Sequence, residues 1–271
     1  MNAIALTPTD VAFAAVLILL DAVLSIALRL DLHRQLAIAT LRLVTQLVLI
    51  GFILRSVFAI ASPLLTLAVI LAMIAIAGRE VASRPEQRLS RLGNFTIGAS
   101  AVALATLLTA ILALTTAIRP KPWFDARYAI PLAGIILGNV LNGASLALDS
   151  LLGGVVHERA AIEAQLALGA TIGDAMRPLI RTAIRRALLP TINQMSAAGI
   201  VTLPGIMTGQ ILAGMDPMQA VKYQILLMFL LAGGSGLAAV AVAYLGARRL
   251  TDSRQRLRTD RLTARRGPPA R

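Results

Sequence analysis

The sequence of 271 residues contains no cysteine, only two histidines and few aromatic residues, 4% of the total. A chain without cysteine forms no disulfide, binds no iron–sulfur cluster and builds no thiolate zinc site. The shortage of aromatic residues removes the stacking platforms with which many proteins hold single-stranded nucleic acid. These absences exclude a dedicated metal cage of histidine and cysteine ligands and argue against nucleic acid as a partner.

Charged residues are also scarce, at 14%, whereas hydrophobic residues make up 57% and the mean hydropathy is +0.78. This composition is too apolar for a water-soluble domain. Several uninterrupted apolar runs reach about 20 residues, the length that crosses a hydrocarbon layer of roughly 30 Å. The sequence therefore predicts a polytopic membrane protein.

The apolar runs predict seven membrane-spanning helices in an all-α fold. Their predicted limits are residues 11–28, 36–54, 60–78, 95–117, 129–148, 192–213 and 223–246. These helices form a single predicted permease domain, residues 1–247. With seven spans, the two termini are expected on opposite sides of the membrane.

The basic residues predict the orientation, because cytoplasmic loops carry an excess of Lys and Arg. With the C-terminus inside, twenty basic residues lie on the cytoplasmic side and five lie outside. We therefore predict an outside N-terminus and a cytoplasmic C-terminus. Residues 248–271, which hold nine of the arginines and no apolar stripe, are predicted to form a disordered basic cytoplasmic tail.

Residues 150–190 form the longest segment outside the predicted spans, on the predicted cytoplasmic side. Apolar residues at helical spacing oppose a face with Asp174, Arg177, Arg181 and Arg185, which predicts an amphipathic helical hairpin. Pro178 is expected to mark a kink or a break in it. By periodicity alone, the same pattern is also typical of a membrane-surface anchor.

Within this segment the sequence Glu163-Ala164-Gln-Leu-Ala-Leu-Gly169 resembles the EAA loop of ABC-transporter permeases, in which Gly follows the Glu by six residues. Gly169 permits a sharp turn or a close approach by another surface. The Glu163 carboxylate can accept hydrogen bonds from a partner. The resemblance implies that Glu163, Ala164, Gly169 and the neighbouring Arg177 couple the chain to a separate ATP-binding subunit.

A second resemblance covers Thr-Leu-Pro-Gly-Ile-Met-Thr-Gly-Gln-Ile-Leu-Ala-Gly at residues 202–214, followed by Asp216-Pro217 and Tyr223-Gln-Ile225. It is similar to the signature of the bacterial iron-export ABC permease family of FetB, which includes plant aluminium-tolerance permeases. Together the two resemblances span about residues 151–247. One departure is Ile206, where the bacterial members are expected to have Met beside Met207, and this weakens a paired-sulfur metal site.

The resemblance implies a permease homodimer in a bacterial inner membrane, paired with two copies of an ATPase and exporting a metal ion such as iron. The sequence itself contains no phosphate-binding Gly-Lys-Ser/Thr, because Lys121 follows Pro120 and Lys222 follows Val221. We therefore expect no enzymatic site and no cofactor on this chain, with ATP used by the partner subunit.

Polar residues and helix-breaking residues inside the predicted spans are candidates for a substrate path or gate, because polar groups facing lipid are costly. They are Asp21, Asn139, Asn142, Asn193, Pro204, Gly205, Met207, Thr208 and Gln210. Oxygen donors among them suit a hard cation, although no metal-ligand set is assigned.

Each of these candidates also has a structural interpretation. Asp21 fits a transport path, a salt bridge with Arg42 or a protonated carboxyl equally well. Asn139 and Asn142 fit interhelical hydrogen bonds, and Pro204 with Gly205 fits a packing kink.

Two other functions remain open from the sequence. A proton-coupled secondary transporter would use Asp21, because intramembrane carboxylates are typical of proton relays. A membrane scaffold without cargo would use the arginine-rich hairpin only to bind a partner.

Overall fold

The computed structural model describes residues 7–60, 62–89, 93–122, 125–252 and 254–264. Over these ranges the chain forms α1 (Pro8–Ala27), α2 (His33–Ile60), α3 (Pro63–Ser83), α4 (Gly93–Leu112), α5 (Ala126–His157), α6 (Arg159–Ala167), α7 (Ile172–Ala197), α8 (Gly205–Leu212) and α9 (Pro217–Arg249). A π-helical turn, Ala113–Ile118, extends α4. Two short strands, β1 (Gln87–Leu89) and β2 (Leu262–Ala264), complete the described chain.

Six of the described helices, α1 to α5 and α9, are long and apolar enough to cross a bilayer. The all-α polytopic fold is therefore confirmed, but the count of seven spans is not. The predicted span 192–213 is not one helix: α7 ends at Ala197, and α8 begins at Gly205. Gly199, with a φ of +86°, lies in the turn between them, where a side chain would be strained.

Helices α5 and α9 form the centre of the bundle and run in the same direction. A Cβ atom added to Gly143 would lie 3.3 Å from the Ser235 Cβ, and one added to Gly246 would lie 2.7 Å from Leu151 Cδ2. The glycines allow the two backbones to approach this closely. Gly143 of α5 lies beside Ser235 of α9, and the later Leu151 lies beside the later Gly246. The two helices are therefore parallel.

Helix α7 runs antiparallel to α5. Leu179 packs on Gly154, and Arg186 Nη1 donates a 3.5 Å hydrogen bond to Ser150 Oγ. The helix continues through Pro178, so the expected break lies earlier, at residues 168–171. Because α5 and α9 are parallel, the chain between them returns to the other end of the bundle through α7 and α8.

Helices α1 and α2 lie at the edge of the bundle. α1 packs mainly on α2, and most side chains of both helices are exposed in the single chain. Phe13, Leu17 and Leu41 are among the exposed apolar residues. Such faces are expected on helices that contact lipid or another membrane helix.

The structure differs from the predicted disordered tail over residues 250–252 and 254–264. Strand β2 pairs with β1 in antiparallel register, with Gln87 opposite Ala264. Arg258 forms two 2.8 Å hydrogen bonds to Asp260, and Arg256 pairs with Asp252. Leu250 is buried in the core and Leu257 and Leu262 pack against it, so apolar contacts add to the ion pairs and the pairing with β1 in ordering this segment. Residues 265–271 lie outside the described chain.

Candidate functional site

A polar cavity of about 440 Å³ lies between α5, α7 and the residues after α3. Two of the predicted path residues, Asn139 and Asn142, line it. They share a face of α5 with Asp149, because residues three, four and seven apart stack along a helix. The other lining residues are Arg84, Gly143, Ser145, Leu146, Ala187, Pro190, Thr191 and Gln194.

The polar side chains of this cavity are held by neighbouring segments. Arg84 Nη1 donates a 3.0 Å hydrogen bond to Asn142 Oδ1. The backbone amide of Glu86 donates at 3.1 Å to Asp149 Oδ1. The residues that follow α3 thereby hold one side of the cavity against α5.

One buried group of the polar cavity has no such partner. Ser145 is only 4% exposed, and its hydroxyl forms no hydrogen bond within the described part of the chain. Together with the amide oxygens and the Asp149 carboxylate, this hydroxyl provides oxygen ligands of the kind that hard cations prefer. No cluster of three or more His, Asp or Glu residues occurs among the described residues, so any cation binding here uses mainly neutral oxygens.

A chain of ion pairs connects this cavity to α2. Glu80 lies 3.6 Å from Arg84 and 3.8 Å from Arg42. Arg42 therefore has a different partner from Asp21, and the salt bridge considered from the sequence does not form. Asp21 itself is exposed on α1, and its carboxylate has no ion-pair partner among the described residues.

A second cavity, of about 450 Å³, lies between the end of α7, α8 and the start of α9. We call it the methionine cavity, because Met195, Met207 and Met228 all line it. The remaining lining residues are Ala198, Gly199, Leu203, Pro204, Val221, Gln224, Ile225 and Phe229. Of the predicted path residues, Pro204 and Met207 belong to this cavity.

The other path candidates of this region have structural positions in or near α8. Gly205 is the first residue of α8, and Thr208 Oγ1 donates a 3.2 Å hydrogen bond to the Pro204 carbonyl. Gln210 Oε1 is buried without a partner in the described residues. Asn193 is exposed near the end of α7 and lines neither cavity, so the predicted path residues are not brought together in one site.

Two of the predicted coupling residues, Glu163 and Ala164, lie on the short helix α6, whose Ile162 packs into the core of the bundle. Helix α6 ends in a Schellman turn, in which the Ala170 amide donates to the Gln165 carbonyl and the Gly169 amide to the Leu166 carbonyl. Gly169 takes a φ of +90°, which explains why a glycine is required there. The EAA-like box, residues 163–169, therefore ends in this Schellman turn.

We call α6, the turn at Gly169 and the start of α7 the hairpin. The residues of its EAA-like box are largely exposed. Leu168 is 89% exposed, and Glu163 and Ala164 are exposed beside it. Arg159 Nε donates a 2.8 Å hydrogen bond to Glu163 Oε1.

Arg177 lies in a different place, on α7, where it pairs with Asp174 at 3.0 Å. It lines a third cavity, of about 610 Å³, together with Arg181, Arg248 and Tyr244. This basic cavity lies between α7 and α9, beside the hairpin rather than on its outer surface.

Sequence reasoning missed several residues of these cavities. Arg84 indicates only the orientation of the chain, and Ser145, Thr191 and Met228 have no motif around them. Gln224 belongs to the Tyr223-Gln-Ile225 motif, which by itself assigns it no role. Their positions depend on contacts between helices that are distant in sequence. The usable signals are the spacing of Asn139 and Asn142 and the motif that contains Pro204 and Met207.

The chain has relatives across most of its length. A model of the uncharacterised protein family UPF0014 matches residues 8–251. The chain is 40% identical over 216 residues to the UPF0014 membrane protein slr1647 of Synechocystis, which covers 79% of this chain and 82% of the relative. It is 32% identical over 257 residues to the probable iron export permease protein FetB of Escherichia coli, covering 95% and 97%.

A plant relative extends the comparison. The chain is 30% identical over 234 residues to the protein ALUMINUM SENSITIVE 3 of Arabidopsis thaliana, covering 86% of this chain and 84% of the relative. These matches confirm the resemblance drawn from residues 151–247. No solved structure matches the chain.

Proposed function

The chain belongs to the UPF0014 family of membrane proteins, and on that premise we propose that it is the permease subunit of an ABC transporter. In this proposal it exports a metal ion such as iron from the cytoplasm, and a separate subunit hydrolyses the ATP. The relative named as a probable iron export permease, which aligns over 95% of this chain, supports this choice of activity.

The exposed EAA-like box on α6 is the observation that carries the proposal. Helix α6 lies at the end of the bundle, where its EAA-like box is exposed and its Leu168 side chain is almost fully open. It is joined at both ends to long helices, α5 through Glu158 and α7 through the turn at Gly169. A force applied to α6 by a partner would therefore act directly on α5 and α7, which line the polar cavity.

The parallel packing of α5 and α9 supports the orientation in this proposal. In this proposal α7 and α8, which return the chain along the bundle between them, count as a further crossing in addition to the six apolar helices. An odd number of crossings agrees with an outside N-terminus and a cytoplasmic C-terminus in the bacterial inner membrane. The arginines near α6, α7 and the C-terminus then lie inside, as the positive-inside rule requires.

The partners in this proposal are the ATP-binding subunit, a second copy of the permease and lipid. The exposed apolar faces of α1 and α2 suit contact with a second copy or with lipid. The cargo would pass the polar cavity, whose amide, hydroxyl and carboxylate oxygens favour weak cation binding suited to transport.

The test is ATPase activity of the complex purified in lipid, with candidate metals added one at a time. Gly169→Ala strains the turn after α6, and Gly214→Ala is its matched control. Gly214 has a φ of +94° and ends α8 in the same type of turn, far from the hairpin. Glu163→Gln is compared in the same way with Glu158→Gln.

We expect the wild-type chain to co-purify with an ATPase that a metal stimulates, and we expect Gly169→Ala and Glu163→Gln to lose this stimulation while their controls keep it. Failure of any ATPase to associate would overturn the proposal. Transport driven by a pH gradient and abolished by Asp21→Asn would instead establish a proton-coupled transporter.

A further inference from the structure

Three methionines from three different helices line the methionine cavity. Met195 belongs to the last turns of α7, Met207 to α8 and Met228 to α9. The whole chain of 271 residues has only eight methionines, so three among eleven lining residues is a marked enrichment. Because the chain has no cysteine, thioethers are the only sulfur ligands that it can offer.

A buried amide in the same cavity is unpartnered. Gln224 is 8% exposed, and its Oε1 atom has no hydrogen-bond partner in the residues that the structure describes. A buried oxygen without a donor is destabilising, and such groups are rare in folded proteins. A cation bound beside Gln224 would supply the missing interaction, which an apolar ligand such as an acyl chain would not.

The lining also defines the charge of the ligand. None of the eleven lining side chains is ionisable, so no carboxylate is available to neutralise a bound metal. The cost of moving an ion from water into an apolar site rises with the square of its charge, so a monovalent ion pays about a quarter of the cost of a divalent ion of equal size. Thioether sulfur prefers soft metals, of which Cu(I) is the biological example.

We propose that the methionine cavity is a binding site for a soft monovalent cation of the Cu(I) class, held by the sulfur atoms of Met195, Met207 and Met228 and by Gln224 Oε1. Ile206 does not count against this site, because the partners of Met207 come from other helices rather than from the adjacent residue. The site differs in chemistry from the polar cavity and does not depend on how transport is powered.

The test is metal binding by the full-length chain in lipid nanodiscs without any ATPase. Ag(I) serves as a redox-inert probe, Cu(I) is measured by competition with a chelator, and Mn(II) is the hard-cation control. The site variant is Met195→Leu with Met207→Leu and Met228→Leu, which retains apolar volume. Its matched control is Met73→Leu with Met215→Leu and Met218→Leu, three methionines outside the cavity.

We expect wild type and the control variant to bind Ag(I) and Cu(I) equally and to ignore Mn(II). The site variant is expected to bind at least about tenfold more weakly, and Gln224→Leu about threefold more weakly, as the loss of metal ligands implies. X-ray absorption on the wild type, which needs no variant, is expected to show sulfur neighbours around the metal.

Equal binding by the two triple variants, a metal surrounded only by oxygen or nitrogen, or no binding to wild type would each overturn the site. Because no ATPase is present, these outcomes are independent of the test of the proposed function. Failure of any ATPase to associate with a chain that still binds Ag(I) would reject only the transporter assignment.

Discussion

The side-chain carbonyl of Gln255 accepts a 2.8 Å hydrogen bond from the backbone amide of Ile172, the first residue of α7. The first amides of a helix have no partner within the helix, so an outside acceptor stabilises its start. The same C-terminal segment pairs with β1 through β2. It therefore ties the residues between α3 and α4 to the hairpin that carries α6.

Replacing Gln255 by Ala removes this acceptor. We expect a loss of about 1 kcal/mol in the local opening free energy of α7, the usual worth of one hydrogen bond. Hydrogen exchange at the Ile172 amide measures it directly. Thr263→Ala is the control, because its hydroxyl bonds to the Arg88 carbonyl and not to α7; equal exchange in wild type and Gln255→Ala would contradict the prediction.

The ion pair between Arg258 and Asp260 gives the C-terminal segment a stabilising contribution that is lost in strong acid. Hydrogen bonding and the positive charge of Arg258 lower the pKa of Asp260 from 3.8 to about 2. A lowered carboxyl pKa stabilises the folded segment above pH 3.8, and this contribution is lost as the pH falls toward 2. Titration of the Asp260 carboxyl by NMR is expected to show this pKa, and Arg258→Ala is expected to raise it.

The close contact between Gly246 and Leu151 predicts a strong effect of a small substitution. Gly246→Ala places a Cβ 2.7 Å from Leu151 Cδ2, so the side chain must move and we expect a loss of about 1–3 kcal/mol in unfolding free energy. Gly233→Ala, on the same helix but in open space, is the control and is expected to be neutral or stabilising. Thermal unfolding in detergent distinguishes them, and equal melting temperatures would contradict the predicted contact.

Arg84 places a positive charge at the wall of the polar cavity. Removing it by Arg84→Gln reduces repulsion of a cation and, after allowance for solvent screening, we expect about tenfold tighter cation binding there. The readout is the metal concentration that gives half-maximal transport. Arg186→Gln removes the same charge from a residue outside the cavity lining, next to Ser150; an identical change in both variants would show that only the overall charge matters.

Much of the fold could be predicted from hydropathy, because an apolar run of sufficient length has few alternatives to a membrane helix. Hydropathy does not reveal α7, because Arg181, Arg185 and Arg186 interrupt its apolar residues. Its amphipathic spacing predicts a helix on the cytoplasmic side, but not that Leu179 and Ala183 pack in the bundle. The sequence indicated a break at Pro204 and Gly205, and α8 does begin there. The turn that ends α7, however, starts six residues earlier, at Ala198.

The candidate site was predictable only where its residues share one helix. Asn139 and Asn142 are three residues apart, so helical geometry alone places them on one face. Arg84 and Thr191 reach the same cavity from other segments. Nothing in the local sequence distinguishes Arg84 from an arginine in any loop, or Thr191 from a threonine in any helix.

The sequence by itself determined that the chain lies in a membrane, where most of its spans fall, and that an EAA-like box sits between two of them. These features depend on local composition, which the bilayer and the backbone hydrogen-bonding requirement convert directly into helices. The tertiary structure decided the parallel pairing of α5 with α9, the return through α7, the lining of one cavity by Met195, Met207 and Met228, and the contact of Gln255 with Ile172. Each of these depends on the fit between surfaces distant in sequence, which composition and periodicity do not encode.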